Sequence, residues 1–115
     1  MSDITVEEWQ LLSFFEAEPV RAEADIPWPY NDFSYRVVVG DYAVVFGIAP
    51  AYRDLSLSVS RNGMEIYSLT GLSVDDVRYH KDADREALEI VVSGEDSIWI
   101  RLRPDLLITQ RSGDA

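Results

Sequence analysis

The sequence predicts an α+β domain: one N-terminal helix with a curved, mainly antiparallel meander sheet or open barrel of about seven to eight strands. The helix either packs on one face of that sheet or plugs one end. Three observations carry this expectation. Helical spacing of apolar residues is confined to about residues 5–17. From about residue 20 to 109, apolar residues recur with a period of two or in short runs, as strands require. The turns between those runs are too short for the crossovers that parallel neighbours need. At 115 residues and 47% apolar composition, the chain suits a single domain, 1–115, around one core.

In chain order, Thr5 followed by Glu8 has the spacing of a capping box, and Glu7 and Glu8 suit the positive end of a helix dipole. Leu11, Leu12 and Phe15 form one stripe with Trp9 at its edge, and Pro19 stops the helix. Val20 to Ile26 reads as a short edge strand, broken at Pro27-Trp28-Pro29. Phe33–Val39 and Tyr42–Ile48 flank Gly40-Asp41, suited to a type II′ turn. Both are apolar at nearly every position, which predicts central strands covered on both faces. Leu55, Leu57 and Val59 alternate with serines, and Asn62-Gly63 offers a type I′ turn before Met64–Leu69 returns. Val74–Tyr79 reads as a further strand and Lys81–Arg85 as a charged loop. Leu88, Ile90 and Val92 form a strand ending at Ser93-Gly94-Glu95-Asp96. Ile98, Ile100 and Leu102 alternate with Trp99, Arg101 and Arg103 until Pro104 closes that strand. Leu106–Thr109 adds a last short strand before a polar tail at 110–115.

Net charge is −11, with 21 acids against ten bases. A nucleic-acid partner calls for a basic stripe, and only pairs such as Arg101 with Arg103 are present, so no such partner is expected. With no cysteine, disulfides, thiolate catalysis and cysteine metal sites are excluded. The start lacks the basic and apolar regions of a secretory signal, and no apolar run nears the roughly 20 residues that span a bilayer. A cytoplasmic location without membrane attachment is the expectation.

Catalytic chemistry finds little support. His80 stands alone, without a second histidine or a cysteine for a transition metal, and reads as a surface or hydrogen-bonded residue. Asp82, Asp84, Glu86 and Glu89 resemble a calcium loop only superficially. No glycine occupies the turn, and Ser93 stands at the twelfth position. Carboxylate pairs such as Asp75-Asp76 and Glu95-Asp96 are expected by chance in so acidic a chain. No catalytic residue, metal or cofactor is expected.

Two segments point toward partner binding. If the Trp99–Arg101–Arg103 face is outward, it offers residue types that dominate interface energetics; otherwise a second layer covers it. The Trp28–Phe33 segment is aromatic for a loop, and is either a recognition loop or a loop tucked over the core. Charge is uneven: residues 1–35 carry −7, residues 36–70 none and residues 71–115 −4. The expected partner-binding residues are therefore Glu16, Glu18, Glu23, Asp25, Trp28, Tyr30, Asp32, Trp99 and Arg101. These properties imply a stoichiometric binding protein whose acidic face covers a cationic protein, most concretely an immunity-type protein against a basic bacterial toxin or nuclease. The alternatives are a small-molecule module with an aromatic pocket, or an adaptor in a larger assembly. Oligomeric state is left open.

Overall fold

In the computed structural model, which describes residues 4–21, 25–71, 73–83 and 85–112, the helix is shorter than its periodicity suggests. Helix α1 spans Glu8–Phe15. The capping box is set by Glu7 and Gln10 rather than Thr5 and Glu8, with the Glu7 N–H donating to Gln10 Oε1 at 2.9 Å. Thr5 is drawn away by Asp76, which accepts from its N–H at 2.7 Å and its hydroxyl at 2.6 Å. The helix ends at Glu16, which turns left-handed (φ 52°) and donates its N–H to the Leu12 carbonyl, three residues ahead of Pro19. Leu11, Phe14 and Phe15 are buried, while Leu12 is only half-buried.

Nine strands follow among the described residues, divided between two open antiparallel sheets in which each strand pairs with its sequence neighbours. The first sheet holds β1 (Val20–Arg21), β2 (Phe33–Val39), β3 (Tyr42–Ala49), β4 (Asp54–Arg61) and β5 (Met64–Gly71). The second holds β6 (Asp76–Asp82), β7 (Arg85–Ser93), β8 (Asp96–Arg101) and β9 (Leu107–Arg111). Turn chemistry sets the hairpins. Gly40 has φ +60° at the first loop position, as a type II′ turn needs, and Asn62 and Gly63 have φ 53° and 79°, as type I′ needs.

The edge strand expected at Val20–Ile26 is reduced to Val20–Arg21, with residues 22–24 outside the described set. Lys81 and Asp82 extend β6 instead of forming a loop, and Gln110 and Arg111 belong to β9 rather than to a tail. β2 and β3 are central, yet covered on one face only: Val38 is 77% exposed and Ala43 is exposed. The helix and the second sheet both lie on the opposite side, so no layer among the described residues shields this one.

α1 touches β2 in one sheet and β6 and β7 in the other, and one apolar cluster unites all three layers. Phe15 stacks on Tyr35 and Phe46 with centroids 5.0 and 5.3 Å apart, and meets Phe14 edge-on. Leu88, Ile90, Ile98 and Ile100 close the core from the second sheet. The connector between sheets is fastened on both sides. The Val74 N–H donates to the Arg53 carbonyl and the Ser73 N–H to Asp54, while the Asp75 N–H donates to the Val91 carbonyl. No helix among the described residues is long and apolar enough to cross a membrane.

Candidate functional site

One end of the molecule gathers exposed aromatics and carboxylates. Short 3-10 turns at Trp28–Tyr30 and Pro50–Tyr52 meet there, beside the start of α1. The first turn is held by Asn31, a buried side chain that donates to the Ile26 carbonyl at 3.2 Å and accepts the Asp32 N–H at 2.8 Å. The segment has one aromatic on each side. Trp28 is tucked inward, its ring 4.5 Å from that of Phe33, while Tyr30 stands 73% exposed. Trp28, Trp9, Glu7, Glu8 and Pro50 border a cleft of about 450 Å³. Trp9 is 60% exposed, with its indole N–H donating to Glu7 Oε2 at 3.0 Å. Tyr52, Asp25 and Asp32 are exposed as well.

The remaining expected acids lie elsewhere. Glu16 sits at the far end of α1, 3.2 Å from Arg103, which offsets the unfavourable dipole of the helix end. Glu18 is exposed in the link to β1, and Glu23 lies outside the described residues. Glu7, Glu8 and Trp9, read from sequence only as parts of a helix, and Tyr52 were not among the expected partner-binding residues. The adjacency Glu7-Glu8-Trp9 was the available signal, masked because those residues also read as an ordinary helix start.

Trp99 and Arg101 lie on the outer face of the second sheet. Among the described residues, no further layer covers them. Trp99 is half-buried by its strand neighbours alone: the His80 ring stacks on it at 4.7 Å and 23°, and the Arg111 guanidinium lies 4.7 Å from its centroid. His80 also shares a 2.8 Å hydrogen bond with Glu89 Oε1. Arg101 pairs with Asp105. Arg103 borders this face and ties down α1, donating to the Phe14 carbonyl at 2.6 Å and to Glu86 Oε1 at 3.1 Å.

The perturbed titratable groups are structural. Burial would raise the Asp76 carboxyl, but hydrogen bonds from Thr5, Arg78 and the Val77 N–H outweigh it and hold Asp76 below its ordinary value. Glu86 is likewise raised by burial and lowered further by Tyr79 and Arg103, with a net downward shift. Burial and the bond to Glu86 push Tyr79 up, and burial pushes Tyr35 up. Among the described residues, no group of three or more histidine, aspartate or glutamate side chains is placed to hold a metal ion.

Comparison with protein-family models found no match, and neither did comparison with curated proteins. Among solved structures, the chain is similar to one in a complex described as a contact-dependent growth inhibition toxin with its immunity protein, from Klebsiella pneumoniae 342. The TM-score is 0.77 at 26% identity, covering 93% of this chain and 94% of that one.

Proposed function

We propose that this chain is a non-enzymatic, immunity-type protein that binds and neutralises a bacterial toxin in the cytoplasm. The likeness to a chain of a toxin–immunity complex, over nearly the whole length of both, carries this reading. The charge of −11 and the structural employment of the buried titratable groups favour the immunity side of such a pair.

The finer reading is that the toxin is basic, as a nuclease that grips phosphate must be, and that acidic charge speeds its capture. The end bearing Trp9, Trp28 and Tyr30 with Glu7, Glu8, Asp25 and Asp32 combines aromatic anchors with carboxylates, as such an interface needs. Affinity capture from the source organism's lysate, washed at low and then high salt, tests this. The expected result is one basic protein held at one-to-one stoichiometry, associating more slowly as salt rises. Recovery of the chain alone, or of a neutral partner indifferent to salt, would contradict it.

A further inference from the structure

We propose that the outer face of the second sheet is a separate docking groove for an extended acidic segment of another protein. The inference is independent of the toxin reading. A groove of about 630 Å³ crosses this face, lined from all four strands of the sheet, with Trp99 among the residues that border it. Its lining holds four arginines, Arg85, Arg101, Arg103 and Arg111, against two carboxylates, Asp82 and Glu86. The excess is confined to the lining, since Asp105, Glu16 and Glu89 stand beside it, and it rests on the arginines that no carboxylate engages. Arg101 is engaged by Asp105, and Arg103 by α1, Glu16 and Glu86. Arg85 and Arg111 have no ion pair among the described residues, and both are exposed.

Strand register gives the spacing of these two cations. Arg111 pairs with Ser97, which pairs with Val91. Arg85 lies at the far end of the same strand as Val91, so at ~3.3 Å per residue the two backbone positions are roughly 20 Å apart along the strands. The Arg111 guanidinium, reaching back to Trp99, shortens the span between the charges. An extended peptide of up to about seven residues covers that span, placing a carboxylate on each guanidinium and an apolar side chain in the groove beside the Trp99, His80 and Arg111 stack. The His80 ring and the Arg111 guanidinium already hold the indole in place, so little ordering is needed at the centre. A nucleic acid fits less well. Its dense phosphates would meet Asp82 and Glu86 in the groove, Glu89 and Asp105 beside it, and the negative field of the whole chain.

The test uses the full chain, with the Trp99 indole N–H signal identified by its loss in Trp99→Phe. The probes are a capped heptapeptide with glutamate at both ends and leucine at its centre, the same peptide with glutamine ends, and hexathymidylate. The glutamate peptide is expected to move the Trp99 signal saturably, and the glutamine peptide to leave it unmoved. Affinity should fall about tenfold or more in R85Q/R111Q and stay unchanged in R36Q, on the other sheet. Amide dispersion reports whether each variant is folded, and the peptide comparison needs no variant at all. An unmoved Trp99 signal at millimolar glutamate peptide, an equal response to both peptides, full affinity in folded R85Q/R111Q, or a response to hexathymidylate alone would overturn the proposal.

Discussion

Asp76 accepts hydrogen bonds from Thr5, Val77 and Arg78, and Glu86 accepts them from Tyr79 and Arg103, so each joins parts of the chain remote in sequence. Both carboxyls lie below their ordinary values of 3.8 and 4.5 in the folded state. A depressed folded value means that the unfolded chain takes up protons first as pH falls. The stabilisation is therefore complete above the ordinary values and is lost as pH drops through the folded ones. Urea unfolding should show stability declining below about pH 5, and D76N and E86Q should each lose about 1–3 kcal/mol at neutral pH. Each variant should also show a shallower decline in acid; a slope identical to that of the parent chain would contradict the assignment. Tyr35 behaves oppositely. It is fully buried, and its hydroxyl has no hydrogen-bond partner among the described residues. Tyr35→Phe should leave stability unchanged or raise it by about 1 kcal/mol, and a loss of that size in the same urea experiment would show that the hydroxyl has a partner. None of these joins was legible in the sequence. Asp75-Asp76 reads there as a chance pair, because what gives Asp76 its role is Thr5, 71 residues away.

Elements whose signals are local were readable, and those decided by distant contacts were not. The turns at Gly40-Asp41 and Asn62-Gly63 place hairpins where residue chemistry demands them. Substituting Gly63 by alanine, at φ +79°, should cost about 1 kcal/mol, read as a lowered urea midpoint with unchanged slope. The helix start was misplaced because Thr5 satisfies Asp76 instead of a helix N–H, a competition that spacing alone does not reveal. The apolar runs of β2 and β3 suggested cover on both faces, whereas their neighbour β4 presents Asp54 and three serines on the open side. Helix docking depends on Arg103, whose guanidinium reaches the Phe14 carbonyl, Glu16 and Glu86. Arg103→Ala should lower stability by about 2–3 kcal/mol and loosen α1, seen as faster amide exchange at Phe14 and Phe15; unchanged exchange would contradict that role.

At the scale of the molecule, the acidic total was legible from composition, but its arrangement was not. Folding leaves Glu16 beside Arg103 at the end of α1, away from Glu7 and Glu8 at its start, and it brings Trp9 and Trp28 to one cleft across a long stretch of chain. Trp99 was readable as outward or covered with equal justice, since the residues that half-bury it come from neighbouring strands. The most direct test of the immunity reading is growth of bacteria expressing the captured partner, with and without this chain. The account predicts that the partner alone arrests growth, that the chain restores it, and that rescue weakens when Glu7, Glu8, Asp25 and Asp32 are replaced together by their amides. A partner that is harmless alone, or one whose toxicity the chain leaves untouched, would contradict it.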